Sequence, residues 1–171
     1  MAGSEPRSAV NILINGKDLI EMVKAVELPF ALEEGHPNIA GQYMGLSPEY
    51  VFLPSRHLLD KPISTFVSHK GKVDLFVCAG CDEPGCWPLA VTIQLADDRV
   101  TWRDFEQPHR TDSSRVLRWK YDQLGPFVFD RSQYEAELKA EGRVFGQTWS
   151  ILRGIKPPIS KEYPANPKSE D

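Results

Sequence analysis

The sequence predicts an α+β fold, a mostly antiparallel sheet with one or two packed helices. Three observations predict this class. Alternating apolar and polar runs outnumber helical patterns, short turns join neighbouring runs, and two segments carry helix-start signals. In a chain of 171 residues we expect a single globular domain over residues 10–154. A flexible N-terminus at 1–9 and a proline-rich, flexible tail at 155–171 would flank it.

The first predicted element is a β-hairpin that starts near Val10. Asn15-Gly16 lies between apolar neighbours and is the residue pair typical of a type I′ turn. Asp18, with Glu21 three residues later, then resembles a capping box, so we expect a short helix that ends at Pro29. The following region, residues 28–61, is rich in glycine and proline. It predicts a long irregular segment with brief ordered pieces, a length of loop that is unusual unless functional.

The central part of the chain predicts three or more strands. The stretch "KVDLFVCAG" alternates with a period of two, as in a strand. In "LAVTIQLADDRVTWRDF", a two-residue turn at Asp97-Asp98 would place Leu95 opposite Val100 and Ile93 opposite Trp102, which brings the apolar residues onto one face.

Two further strands and a helix are expected after this hairpin. "RVLRWKY" predicts a strand with Leu117, Trp119 and Tyr121 on one side, and "GPFVFD" predicts a short last one. Asp130 and Gln133 form a second capping-box pattern, which predicts a helix over "RSQYEAELKAEG" with Gly142 as its C-cap.

Charge and hydropathy exclude several classes of function. The net charge is -4, from 20 Lys+Arg and 24 Asp+Glu, and no long basic block occurs, which argues against nucleic-acid or anionic-membrane partners. We see neither a secretory signal nor an apolar run long enough for a membrane helix, so we expect a cytoplasmic location.

The cysteines form the sharpest motif. All three lie within "CAGCDEPGC", as Cys78, Cys81 and Cys86. A tight turn between cysteines lets their thiolates point at one ion, so the spacing predicts a metal site, with zinc as the possible cofactor and no other cofactor expected. The fourth ligand would come from elsewhere, and His69 and His109 are the candidates.

Two other interpretations of the cysteine cluster stay open. A redox CxxC pair depends on a helix that starts at its first cysteine, and Pro84, Gly85 and Pro88 oppose such a helix. Alternatively, Glu83-Pro84-Gly85-Cys86 is a type II turn, and the cysteines are small residues packed where two strands meet.

A second group of polar residues lies in "RDFEQPHRTD". Asp104, Glu106 and Asp112 near His109 resemble an acid–base set. No nucleophile at a recognisable turn accompanies them, and no phosphate-binding or dinucleotide pattern occurs. We therefore assign no catalytic or cofactor-binding residue, and whether the protein is an enzyme stays open.

The sequences of three segments resemble those of a group of small uncharacterised bacterial proteins. The segments are "CAGCDEPGCWPLAV", "VTWRDFEQPHR" and "LGPFVFDRSQYEAEL", and together they cover roughly residues 70–140. The resemblance implies a compact bacterial domain, and it supplies no catalytic residues.

The sequence leaves three hypotheses of function. The first is a non-enzymatic cytoplasmic protein that binds another protein, of the accessory or immunity type, because no complete catalytic set is found. The second is a zinc-binding domain that uses the Cys78, Cys81 and Cys86 cluster. The third is a thiol oxidoreductase with a cysteine of lowered pKa. The oligomeric state is not predicted.

Overall fold

A computed structural model describes residues 9–112, 117–139 and 148–151, without the side chains of His69 and of 148–151. Residues 1–8 of the predicted flexible N-terminus, the predicted tail and the predicted C-cap at Gly142 lie outside the described residues, and Ala9 already belongs to a strand. The fold is α+β, as the sequence predicts. Its described strands are β1 (Ala9–Ile14), β2 (Lys17–Asp18), β3 (Tyr43–Gly45), β4 (Val73–Cys78), β5 (Leu89–Leu95), β6 (Arg99–Glu106), β7 (Phe127–Asp130) and β8 (Thr148–Ile151). Its described α-helices are α1 (Leu19–Glu33), α2 (Pro48–Val51) and α3 (Arg131–Glu137).

Two sheets carry these strands. The larger sheet is antiparallel and has the strand order β3-β4-β5-β6-β7. The smaller sheet has the order β2-β1-β8, in which β1 and β8 run parallel and β1 and β2 antiparallel. Buried side chains from both sheets and from α1 and α3 form one hydrophobic core.

The N-terminal hairpin and its following helix begin as predicted. Asn15 and Gly16 have φ values of 51° and 78°, the left-handed conformation that a type I′ turn needs. Asp18 is the N-cap of α1, and its carboxylate accepts from the backbone N–H of Ile20 at 2.8 Å. The predicted end at Pro29 is wrong, because α1 continues to Glu33.

Packing explains why α1 continues beyond Pro29. Proline removes one backbone donor, but the turn that follows it stays bonded, with Glu34 N–H donating to the Phe30 carbonyl at 3.0 Å. Ala31 is fully buried, and the Phe30 ring stacks on Trp119 at 6.5 Å between centroids. Tertiary contacts of the residues just after Pro29 therefore hold the last turn of the helix in place.

The region 28–61 contains more order than the sequence predicts. It holds the last turn of α1, the strand β3 and the short helix α2. A side chain at Gly45 would place its Cβ 2.0 Å from the Val10 carbonyl oxygen. Only glycine allows this close approach of β3 to β1, and Val10 N–H donates to the Leu46 carbonyl at 2.8 Å beside it.

The central hairpin has the predicted register. Leu95 pairs with Val100, and Ile93 pairs with Trp102. The hairpin also brings the end of β6 beside the start of β5, where Ala90 pairs with Glu106. Residues 79–88, which precede β5, and residues 107–110, which follow β6, therefore lie at the same end of the sheet.

The predicted strand around Trp119 is wrong. Residues 117–121 join no sheet, although Trp119 and Tyr121 are buried while Arg118 and Lys120 are exposed. Trp119 N–H donates to the Arg110 carbonyl at 3.0 Å. Burial alternates along residues 117–121 because the segment is extended and packs on the core, although it has no strand partner.

The last predicted strand is confirmed, and the predicted helix begins as expected but ends at Glu137, earlier than predicted. GPFVFD supplies β7, and Asp130 caps α3 by accepting from the Gln133 N–H at 2.9 Å. Tyr134 and Leu138 are both fully buried on one side of the helix. Among the residues that the structure describes, none of the helices has the length and apolar character needed to cross a bilayer.

Candidate metal centre

The cysteine loop, residues 78–88, connects β4 to β5. Cys78 is the last residue of β4, and the chain then turns tightly, with Asp82 N–H donating to the Cys78 carbonyl at 3.0 Å. Asp82 itself has a φ of 60°, which a second tight bend requires. The predicted type II turn follows: Cys86 N–H donates to the Glu83 carbonyl at 3.2 Å, and Gly85 has a φ of 75°.

These turns bring the three thiols together. The Sγ atoms of Cys78, Cys81 and Cys86 all lie within 4.8 Å of one another. Zinc–sulfur bonds of about 2.3 Å place tetrahedral ligands roughly 3.8 Å apart, so small side-chain movements would suffice. Cys78 is half-buried, and Cys81 and Cys86 are exposed free thiols. Three cysteines placed in this way are able to hold a metal ion.

The loop backbone favours negative charge at the first sulfur. Burial acts to raise the pKa of the Cys78 thiol, and the hydrogen bonds from the N–H groups of Cys81 and Gly80 act to lower it. Hydrogen bonds from the Cys81 and Cys86 thiols lower the Cys78 pKa further, so its net shift is downward. The hydrogen bonds to Cys81 and Cys78 raise the pKa of Cys86 to about 12. The loop therefore favours negative charge at Cys78 over negative charge at Cys86.

No helix starts at Cys78. Residues 79–88 form turns, as Pro84, Gly85 and Pro88 predict. The lowered pKa of Cys78 thus comes from hydrogen bonds with the turn's N–H groups and with the Cys81 and Cys86 thiols rather than from a helix dipole.

His109 lies beside the cysteine loop. Its Nε2 is 2.8 Å from the Gly85 carbonyl oxygen, and its ring stacks on Trp87, with 6.1 Å between centroids and 12° between planes. The neighbouring Gln107 fixes both segments, because its Nε2 donates to the Pro88 carbonyl at 3.0 Å and its Oε1 accepts from the His109 N–H at 2.8 Å. His109 is nevertheless not among the groups that lie within 4.8 Å of all three thiols.

The other predicted histidine, His69, begins a 3-10 turn that precedes β4, whereas Cys78 ends that strand. Its side chain lies outside the described residues. His57 is buried and uses both ring nitrogens, Nε2 at 2.8 Å from the Asp74 carbonyl and Nδ1 as acceptor from Ile63 N–H at 3.1 Å. This pattern fixes a neutral tautomer, and burial lowers the His57 pKa.

The carboxylates predicted as partners of His109 are bound to cations. Glu106 pairs with Lys72 at 2.7 Å, and Asp112 pairs with Arg118 at 3.1 Å. Asp104 lies 3.7 Å from Arg103. The described hydrogen bond of the His109 ring is to a carbonyl, so these carboxylates form ion pairs rather than an assembled acid–base set with His109.

An aromatic cluster behind the loop was missed by the sequence analysis. The Arg110 guanidinium lies 5.0 Å from the Trp87 ring centroid and 5.5 Å from that of Trp119. Glu34 accepts from Arg110 Nε at 3.0 Å and from Trp119 Nε1 at 2.6 Å. This cluster ties the end of the cysteine loop to the C-terminal end of α1.

A buried carboxylate network was also missed. Glu27 is fully buried, and its Oε1 accepts from the hydroxyls of Tyr43 at 2.5 Å and Tyr121 at 2.6 Å. Its Oε2 accepts from Gly41 N–H at 2.8 Å. Burial raises the Glu27 pKa, and these three donors oppose the rise. Because Glu27 falls on the apolar face of a predicted helix, its position was the one signal that could have marked it.

Comparison of the chain with models of protein families, with curated proteins and with solved structures finds no match in any of the three.

Proposed function

We propose that this chain is a zinc-binding domain and that Cys78, Cys81 and Cys86 are its metal ligands. The observation that carries the proposal is the position of the three Sγ atoms, which lie within 4.8 Å of one another. Thiolates are the soft ligands that zinc and copper(I) accept in proteins, and the C-x2-C spacing is common in zinc sites.

The chemistry of the loop supports this ligand set. Metal binding requires deprotonated thiols, and the N–H groups of Gly80 and Cys81 already stabilise charge at Cys78. The hydrogen-bonded protons on the other two thiols leave when an ion replaces them. A divalent cation also removes the repulsion that would oppose three adjacent thiolates.

The fold gives the site a local role. The hydrophobic core is formed by both sheets, α1 and α3, and the thiols of Cys81 and Cys86 lie outside it. Zinc would therefore order the β4–β5 connection without being required for the domain to fold. The hypotheses of a protein-binding role and of thiol oxidoreductase chemistry stay predictions.

Cobalt(II) titration tests the proposal, because cobalt reports thiolate ligands by a sulfur-to-metal charge-transfer band. We expect one equivalent of cobalt to saturate the band in reduced protein and zinc to displace it. Cys81→Ser should weaken zinc binding on the order of 100-fold or more, since losing a ligand exceeds the loss of an outer-shell partner.

Two controls make the titration decisive. His36→Gln changes an exposed residue outside the loop and should leave affinity unchanged. The metal-free Cys81→Ser variant should keep its free energy of unfolding to within about 0.5 kcal/mol, as surface substitutions do. Wild-type protein that shows no charge-transfer band would contradict the proposal.

A further inference from the structure

The three cysteines leave a tetrahedral ion one ligand short. Within the described part of the chain, no histidine, aspartate or glutamate joins them in a group whose donor atoms all lie within 4.8 Å. A closed zinc site needs four protein ligands, and an open one keeps a water in the fourth position. The identity of the fourth ligand therefore decides what kind of site this is.

His109 is held next to the loop from two sides. Its ring contacts the residue before Cys86 through the Gly85 carbonyl and the residue after it through the Trp87 ring. Its backbone N–H is bound to Gln107, which also holds the Pro88 carbonyl. The position of His109 is thus fixed relative to Cys86, and its ring is exposed to solvent.

The hydrogen bond of His109 also selects the form of imidazole that binds metals. A carbonyl oxygen only accepts, so Nε2 carries the proton and Nδ1 has a free lone pair. Histidines that bind metals usually donate their second N–H to a carbonyl or carboxylate in this way. Their other ring nitrogen is then the ligand.

Charge favours an imidazole over a carboxylate. Three thiolates and Zn²⁺ carry a net charge of -1, which a neutral imidazole leaves unchanged. A carboxylate such as that of Asp82 would take the charge to -2 beside the acidic Glu83.

We infer that His109 is the fourth ligand: its Nδ1 binds the metal while its Nε2–H keeps the bond to the Gly85 carbonyl, and the exposed thiols of the loop move toward it, which gives a closed Cys3His site. This inference rests on the proposed function. It predicts a closed coordination shell without a bound water in the fourth position, which is the arrangement of a structural site rather than of a hydrolytic one.

The test is NMR of ¹⁵N-labelled protein loaded with ¹¹³Cd²⁺, which replaces zinc and couples to directly bound nitrogen. We expect a cadmium–nitrogen coupling on the His109 ring and on no other histidine. His109→Gln should abolish that coupling and weaken zinc binding at least tenfold, whereas His36→Gln should change neither.

The possible failures are distinguishable. Stoichiometric cadmium bound without coupling to His109 would overturn this inference and leave the three-thiol site intact. Coupling to His69 in place of His109 would overturn it as well. A protein that binds no cadmium would contradict the proposed function itself.

Discussion

The Glu27 network and the cysteine loop are both clusters of polar groups, but they differ in burial and in where their hydrogen-bond partners come from. Glu27 is fully buried, and three donors from separate parts of the fold converge on its carboxylate. Cys81 and Cys86 are exposed, and the cysteine thiols bond to one another and to their own turn.

The difference separates a structural polar cluster from a ligand site. Removing Glu27 would leave the buried hydroxyls of Tyr43 and Tyr121 without their acceptor. Removing a thiol from the loop leaves groups that solvent can hydrate. The Glu27 network therefore stabilises the fold, and the thiols of the cysteine loop are accessible to an ion from solvent.

The largest expected effect comes from breaking the buried cluster. Glu27→Ala should lower the free energy of unfolding by about 3–5 kcal/mol, because the hydroxyls of Tyr43 and Tyr121 and the N–H of Gly41 lose their acceptor. Chemical denaturation of the metal-free protein measures it. Glu33→Ala, at an exposed position of the same helix, is the matched control and should cost less than about 0.5 kcal/mol. Equal losses in the two variants would contradict the account.

A smaller effect should appear in the pH dependence of stability. Asp74 is buried on β4, and burial raises its pKa to about 6, while the Ser68 hydroxyl acts to lower it. Because the folded-state pKa lies above that of the unfolded chain, the folded protein binds the proton more tightly. The stability that this proton contributes is fully present below about pH 3.9 and is lost as the pH rises through about 6.

Asp74→Asn isolates this contribution. The amide keeps an acceptor for Ser68 and cannot ionise, so the variant should gain on the order of 2 kcal/mol relative to wild type between pH 4 and pH 7. Denaturation curves at several pH values measure the difference. The His57 ring bonds the backbone carbonyl of residue 74, which the substitution keeps. Its contribution to the pH dependence should therefore be the same in both proteins. Parallel pH profiles would show that Asp74 does not titrate in this range.

Local patterns predicted the part of the fold that depends on neighbours in sequence. The turn at Asn15-Gly16, the caps at Asp18 and Asp130 and the register of the central hairpin follow from residue types a few positions apart. Pro29 and the segment around Trp119 were misjudged, because α1 is held by contacts with distant residues and Trp119 packs without a strand partner.

The candidate site was predictable in part for the same reason. The three cysteines are close in sequence, so their turn brings them together. His109 is distant in sequence, but the predicted hairpin places the residues after β6 beside those before β5. A register shift between Ala90 and Thr92 moves the pairing by one residue before it reaches the loop, so the partner of His109 could not be predicted from the hairpin. Glu27 could not be assigned its partners, because Tyr43 and Tyr121 reach it from segments whose structure the sequence left open.

The most direct test of the central claim is the zinc content of reduced, tag-free protein purified without chelators, measured beside Cys81→Ser. We expect about one zinc per wild-type chain and a large loss in the variant. Wild-type protein that carries no zinc, takes none up when it is offered and has all three thiols open to alkylation would contradict it.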